Sequence, residues 1–223
     1  MDNISAALAS LRRGGFIILF DSSEREGEAD ILLGAQFATP RKVALMRQHG
    51  GGLMCVAVGA EASEALGLPF MDDLLRSSRL VPGNLVLRKA KYGDKSAFSV
   101  SVNHQDTFTG VTDIDRATTM RELGKLVKKS MATRSHPADE FANSFKAPGH
   151  VQLLRSRSLR NRKGHTELST VLAQLAGIAP AVALCEMLDG RTGKATSSAR
   201  AKLLAKKMNA PFIIGKDILG ELQ

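Results

Sequence analysis

An acidic decapeptide, Asp21 to Asp30, holds five carboxylates and one arginine between two apolar runs, 16–20 and 31–33. Such runs predict buried strands, and a connection between them lies at the protein surface on a rigid scaffold. Clustered carboxylates repel one another unless a cation offsets their charge, so we expect this loop to be mobile when no cation is bound. Mg²⁺ takes oxygen ligands and keeps positions open for a substrate. Charge patterning alone favours a solvated acidic turn, so the metal-site hypothesis needs further residues.

Three other polar motifs stand beside predicted strands or helices. Pro148-Gly149-His150 precedes a strand, Lys163 to Glu167 opens a helix around His165, and Glu186 ends the apolar run 181–185. A lone histidine is usually structural or lies at the surface, and a glutamate at the end of a strand is usually solvated. The occurrence of all three motifs together with the acidic decapeptide favours one shared site.

Taken together, these motifs resemble those of the 3,4-dihydroxy-2-butanone 4-phosphate synthases of riboflavin biosynthesis, in their single-function form. The matching segments occur in the family's order and are Asp21 to Asp30, Thr107 to Thr118, Pro148 to Val151, Gly164 to Glu167, and Cys185-Glu186. Gly27, Thr112-Asp113 and a shortened stretch between His150 and His165 depart from the commonest pattern of the family. These departures flank the expected site residues and do not remove them.

The resemblance implies the conversion of D-ribulose 5-phosphate into L-3,4-dihydroxy-2-butanone 4-phosphate and formate, through enolisation, loss of water, skeletal rearrangement and release of one carbon. It implies Mg²⁺ as the cofactor, with Mn²⁺ as the alternative ion, and Glu26 and His165 as the metal ligands. His150 and Glu186 are the implied catalytic residues, and the sequence assigns neither to an individual proton transfer. The implied substrate-binding residues are Arg25, Glu26, Asp30, Thr109, Asp115, Arg162, Lys163, Gly164, His165, Thr166 and Glu186.

Physical arguments support some of these roles and leave alternatives for others. The backbone N–H groups around Thr166, at the start of a helix, favour a phosphate, and Arg162 can add a bidentate contact. Asp115 and Arg116 could complete the pocket or form a pair on a helix surface. Cys55 follows three glycines and could border the site, but a small buried core residue is the preferred interpretation.

The net charge of +9 is partly concentrated in the basic run 155–163 and indicates anionic small molecules or nucleic acid as partners. A groove for single-stranded nucleic acid usually offers aromatic platforms, but this chain has no tryptophan and a single tyrosine, Tyr92. A nucleic-acid-binding module is therefore the weaker alternative. A different metal-dependent phosphosugar isomerase or aldolase is the stronger one.

Periodicity predicts alternating helices and strands and hence one α+β domain over 1–223, with a mixed β-sheet and surrounding helices. Two long irregular segments, 71–96 and 131–147, are candidates for functional loops. Predicted helices are 3–12, 40–49, 61–66, 113–128, 166–176 and 197–208. Predicted strands are 16–20, 31–33, 53–58, 98–102, 151–154, 181–185 and 211–214.

Cysteine use and hydropathy bound the cellular setting. The two cysteines, Cys55 and Cys185, lie in apolar runs, which is typical of reduced thiols in a cytoplasmic protein. No apolar stretch reaches the roughly 20 residues of a membrane helix, and no secretory signal is evident. Two cysteines also cannot build the zinc site of the second domain in bifunctional relatives. The resemblance further implies a homodimer.

Overall fold

The computed structural model describes residues 3–86, 89–133 and 137–222, which form an α+β fold around a mixed sheet. The strands are β1 (Ile17–Phe20), β2 (Ala29–Gly34), β3 (Cys55–Val58), β4 (Phe98–His104), β5 (Phe145–Arg155), β6 (Ala181–Glu186), β7 (Leu188–Asp189), β8 (Lys194–Ala195) and β9 (Phe212–Ile214). The helices are α1 (Asn3–Arg12), α2 (Pro40–His49), α3 (Ala60–Ala65), α4 (Met71–Ser77), α5 (Asp113–Thr133), α6 (Ala138–Ser144), α7 (His165–Leu175), α8 (Ser198–Lys207) and α9 (Gly215–Gly220).

The main sheet has seven strands in the order β4-β5-β3-β6-β2-β1-β9. Two neighbouring pairs, β3 with β5 and β1 with β9, are parallel, and the other pairs are antiparallel. The predicted mixed sheet of an α+β fold is therefore confirmed. Strands β7 and β8 form a separate two-stranded ribbon.

Both faces of the sheet are covered by helices, which gives two hydrophobic cores. Helices α1, α7 and α9 pack on one face, where Leu32 and Leu184 point. Helices α2, α5 and α8 pack on the other face, where Ile31 and Cys185 point. Neighbouring residues of a strand face opposite cores, so every residue of β2 is buried. Its sequence is therefore a continuous apolar run except at Asp30. Among the described helices, none combines the length and apolarity needed to cross a bilayer.

The two segments interpreted as irregular contain regular elements. Helix α4 lies within 71–96, and α5, α6 and the start of β5 occupy the described part of 131–147. The strand predicted over 151–154 begins at Phe145, so Pro148 lies inside it. Proline lacks the N–H that a strand ladder needs. It is accommodated here because Pro148 lies where the pairing of β4 with β5 shifts register, between Lys146 and Val151, and before the part of β5 that pairs with β3.

Candidate active site

Two carboxylates face each other across neighbouring strands at the base of the site. Strand β2 pairs with β6 so that Asp30 lies opposite Glu186. Alternation along each strand puts both on the face that carries Leu32, Leu184 and helix α7. Asp30 is 2% exposed, and helix α7 begins above it at His165. The sheet therefore positions both carboxylates beneath the first turn of a helix.

The acidic turn between β1 and β2 is organised by Asp21. Its carboxylate accepts the backbone N–H groups of Glu26 and Glu28 at 3.2 Å and the guanidinium of Arg25 at 2.9 Å. Gly27, at φ +65°, supplies the left-handed residue that this tight turn requires. The expectation that these carboxylates lack a cationic partner in the metal-free chain is wrong, because arginine and histidine side chains reach them from inside and outside the turn.

Glu26 and His165 form the central pair of the site. The Nδ1 atom of His165 lies 3.2 Å from Oε2 of Glu26, and the hydroxyl of Tyr92 donates to Oε1 at 2.7 Å. Burial by itself would raise the pKa of Glu26. The hydrogen bonds from His165 and Tyr92 and the charge of Arg162 outweigh burial and lower that pKa to about 2. Glu26 is therefore ionised at neutral pH.

The other ring nitrogen of His165 faces Asp30. Its Nε2 atom lies 3.7 Å from Oδ1 of Asp30, and both atoms are buried without a hydrogen-bond partner among the described residues. Burial lowers the pKa of His165, but the carboxylates of Asp30, Glu26 and Asp21 raise it to about 9. Burial and the neighbouring carboxylates raise the pKa of Asp30 to about 7. In the metal-free protein the protonated forms of both His165 and Asp30 are therefore favoured.

The donor set fits a hard divalent cation. Ligand atoms of Asp21, Glu26 and His165 lie within 4.8 Å of one another. Asp21 is already engaged by the turn, whereas Asp30 Oδ1 and His165 Nε2 have no hydrogen-bond partner in the part of the chain that the structure describes. A buried polar atom without a partner is costly, and a cation bound between the carboxylates would relieve that cost. The fold thus brings Glu26 and His165 together, and their role as ligands stays a prediction.

Arg162 and the start of α7 provide the positive side of the site. Arg162 donates to the buried Glu167 at 2.6 Å, which fixes its guanidinium, and a second nitrogen lies 3.7 Å from Glu26. Thr166 is buried in the first turn of the helix, whereas Lys163 is exposed before it. A helix N-terminus beside a fixed arginine is a favourable place for a phosphate.

One cleft of about 450 Å³ collects half of the predicted site residues. Its polar wall contains Glu26, Asp30, Arg162, His165, Thr166 and Glu186. Its apolar wall comes from helix α4 and the segment before β4, where Met71, Leu75 and Val86 lie. Arg25 turns its guanidinium away toward Asp21 and Asp94. The mixed lining and the volume suit a small polar metabolite.

Three predicted residues, Thr109, Asp115 and His150, lie in a second group outside this cleft. His150 is exposed on β5, where its backbone N–H donates to Asn103 on β4 at 2.8 Å. Gly110 packs closely against the same asparagine, which brings the turn 107–110 beside His150. Asp115 accepts the N–H groups of Thr109 at 3.2 Å and of Gly110 at 2.9 Å. Asp115 therefore holds its own turn in place.

The second group nevertheless lies close to the cleft. Cys55 on β3 pairs with Gln152 of β5 on one side and with Leu184 of β6 on the other. Two residues earlier along the chain, the same registers place Leu53 between His150 and Glu186. The N–H of Leu53 donates to Glu186 at 2.7 Å, in agreement with this register. Two strand spacings separate the backbones of His150 and Glu186, about 10 Å. The second group therefore lies at the rim of the cleft.

Comparison with known proteins decides the family. The sequence profile of the 3,4-dihydroxy-2-butanone 4-phosphate synthases matches residues 5–221. The chain belongs to this family. It is 46% identical over 219 residues to the 3,4-dihydroxy-2-butanone 4-phosphate synthase of Archaeoglobus fulgidus, covering 96% of this chain and 91% of that protein. It is 44% identical to the synthase of Methanosarcina acetivorans, covering 98% of this chain and 90% of that protein.

A solved synthase structure shows the same fold. The structure of a 3,4-dihydroxy-2-butanone 4-phosphate synthase in complex with two magnesium ions superposes with a TM-score of 0.77 at 27% identity, covering all of this chain and 97% of that one. Membership of this enzyme family, and with it a place in riboflavin biosynthesis, confirms the interpretation of the ordered motifs.

Two alternatives left open by the sequence are settled by contacts. Cys55 is a fully buried free thiol, and burial raises its pKa well above the usual value, so the core interpretation holds. Asp115 and Arg116 do not pair on the helix surface. Arg116 contacts Asp113 at 3.3 Å, and Asp113 also binds Arg47.

Two residues of the site, Tyr92 and Asp94, were missed by sequence reasoning. Asp94 binds Arg25 and lies 3.8 Å from Arg162, and Tyr92 reaches Glu26. Both belong to the segment 89–97, in the stretch that was interpreted as an irregular functional loop without named residues. The single tyrosine and a lone aspartate in a basic stretch, Lys89 to Lys95, were the available signals.

Proposed function

We propose that this protein converts D-ribulose 5-phosphate into L-3,4-dihydroxy-2-butanone 4-phosphate and formate. The observation that carries the proposal is the joint position of Glu26, His165 and Glu186 in one cleft with Arg162 and Thr166. The first three provide a cation site and acid–base groups, and the last two provide a phosphate site. Both parts line the same cleft, which suits a short phosphosugar.

We propose Mg²⁺ as the cofactor, held by Glu26 and His165, with Mn²⁺ as the alternative ion. When bound, such a cation stabilises negative charge on the enediolate oxygens of the substrate. Asp30 lies 3.7 Å from His165 at the base of the cleft, where its carboxylate can contact a hydroxyl or carbonyl of the substrate. Glu186 keeps one oxygen fixed by the N–H of Leu53, which leaves the other to act on a substrate hydroxyl.

We further propose a homodimer in which the second group, Thr109, Asp115 and His150, serves the cleft of the partner. These residues lie at the rim of their own cleft and do not line it. Exposed apolar side chains surround them, since Phe108 is 98%, Val111 50% and Ile114 66% exposed. Contiguous exposed apolar groups mark association surfaces. A two-fold contact here would bring each second group to the partner's cleft rim.

We infer that residues 1–223 act as one functional domain and that the protein works in the cytoplasm. The site residues come from strands and turns distributed over the sheet, from Asp21 to Glu186, which supports one functional unit. Both cysteines are free thiols in the core, which suits a reducing compartment.

The competing function is a metal-dependent isomerase or aldolase acting on a similar phosphosugar. It would use the same cation and phosphate contacts but would not release formate. The test is an incubation of purified protein with ribulose 5-phosphate and Mg²⁺, followed by quantification of formate and of the four-carbon phosphate. We expect both products in equal amounts, with none after EDTA treatment or in Glu26→Gln. Consumption of substrate without formate would establish the competing function.

A further inference from the structure

The basic run 155–163 contributes to a second cleft, next to the first, that the proposed reaction does not use. This cleft has a volume of about 480 Å³ and lies between the segment 89–95, the end of β5 and the residues before α4. Its charged lining consists of five basic and two acidic side chains: Lys89, Lys95, Arg155, Arg157 and Arg162, with Glu64 and Asp94.

Most of this positive charge is not neutralised within the protein. Asp94 is shared between Arg25 and Arg162, and Glu64 lies 3.4 Å from Arg155. Among residues 3–86, 89–133 and 137–222, no carboxylate lies within ion-pair distance of Arg157 or Lys95. Uncompensated cations lining a concave surface concentrate the field there and attract anions.

The arginines are held in fixed positions, which is the second feature of a binding site. The guanidinium of Arg157 stacks 3.5 Å from the ring centre of Phe70 and donates to the carbonyl of Ser96. Arg155 lies over the same ring and donates to the carbonyl of Leu68 at 2.7 Å. Stacking and hydrogen bonds reduce the conformational entropy that these side chains lose when a ligand binds.

We propose that this second cleft binds a small phosphorylated anion carrying at least two negative charges. Guanidinium groups match the geometry of phosphate oxygens, and the volume accepts a small metabolite. Nucleic acid fits less well, because Phe70, the aromatic side chain of the lining, is covered by guanidinium groups and cannot stack on a base. Arg162 and Asp94 line this cleft, and Arg162 also lines the first, so the two sites share a wall.

The test is calorimetric titration of inorganic pyrophosphate into the metal-free protein in EDTA. The variant Lys95→Gln/Arg157→Gln removes two uncompensated cations, and we expect it to weaken pyrophosphate binding about tenfold or more. Arg160→Gln is the matched control, because Arg160 belongs to the same basic run but does not line the cleft. We expect that control to bind within about twofold of the unchanged protein. Circular dichroism and formate release verify that each variant is folded.

The variant Thr166→Ala distinguishes binding at the first cleft from binding at the second, because it alters the proposed substrate-phosphate site. The proposal holds if Thr166→Ala retains the pyrophosphate binding that the double variant loses. It is overturned if the double variant binds normally, or if Arg160→Gln weakens binding as much as the double variant does. A parallel titration with a short single-stranded RNA tests whether the cleft binds the phosphate groups of nucleic acid instead of those of a small anion. RNA binding that exceeds pyrophosphate binding and is lost in the double variant would also overturn the assignment to a small anion.

Discussion

At the residue scale, the site is an imidazole held between two carboxylates. His165 contacts Glu26 through one ring nitrogen and faces Asp30 through the other. The identities of these residues were predictable from the ordered motifs, because the residue types needed for the chemistry remain visible in the sequence. The contacts of Tyr92 and Asp94 were not predictable, since each joins residues 66 or more positions apart in a segment without periodicity.

The division between metal ligands and proton-transfer residues can be tested with Mn²⁺. Glu26→Gln and His165→Ala should each weaken Mn²⁺ binding by more than about tenfold, because each removes a proposed ligand. His150→Ala and Glu186→Gln should bind Mn²⁺ normally and lose formate release. Calorimetric titration of each variant gives the comparison. If Glu186→Gln lost Mn²⁺ as severely as Glu26→Gln, Glu186 would be a metal ligand.

Tyr92 should orient Glu26 without itself contacting the cation. Its hydroxyl donates to Oε1 of Glu26 at 2.7 Å, so Tyr92→Phe removes one hydrogen bond and leaves the aromatic ring over Arg25 in place. Losing such an orienting partner typically weakens metal binding about tenfold. The same Mn²⁺ titration measures it. Tighter binding in Tyr92→Phe would mean that the hydroxyl competes with the cation for the carboxylate.

At the scale of elements, the strands and helices that follow from apolar periodicity were predicted, and the exceptions have local causes. Strand β5 was predicted too short because Pro148 and Gly149 weaken a strand pattern. Gly149 is required there, since a Cβ atom would lie about 2.0 Å from the backbone of Val102. Helices α4 and α6 are seven residues each, too short to show a convincing period, so their segments were interpreted as irregular.

The acidic turn should be ordered before any cation binds. The carboxylate of Asp21 accepts the N–H groups of Glu26 and Glu28, and Arg25 ties the turn to Asp94. We therefore expect similar protection of these two amides in hydrogen exchange with and without Mg²⁺. Asp21→Ala should raise their exchange rates about fivefold, because each loses a hydrogen bond worth about 1 kcal/mol. Fast exchange in the unchanged metal-free protein would instead support the expectation that this loop is mobile when no cation is bound.

At the scale of the whole molecule, the sequence predicted the sheet and its covering helices but not their spatial order. The strand order β4-β5-β3-β6-β2-β1-β9 brings together residues from opposite ends of the chain. It divides the predicted site into a cleft with Glu26 and a rim with His150. Neither periodicity nor motif spacing predicts that division, because it depends on which strands become neighbours in the sheet.

The separation of the cleft from the rim also predicts the activity of a mixture of two inactive variants. In Glu26→Gln one cleft lacks its cation ligand, and in His150→Ala the rim lacks its histidine. If His150 serves the partner's cleft, a mixed dimer of these two chains contains one complete site and one doubly altered site. Random mixing makes about half of the dimers mixed, so about a quarter of the unaltered formate release should return. Light scattering checks that all species are dimers.

The matched control mixes two variants whose altered residues both serve the cleft of their own chain. In a mixed dimer of Glu26→Gln with His165→Ala, each cleft carries one change and no site is complete, so no activity should return. If His150 instead serves its own cleft, mixing Glu26→Gln with His150→Ala leaves one change in every site, and that mixture also stays inactive. Activity that returns in the first mixture and not in the second therefore assigns His150 to the partner's site, since only a shared site can be rebuilt by exchanging chains.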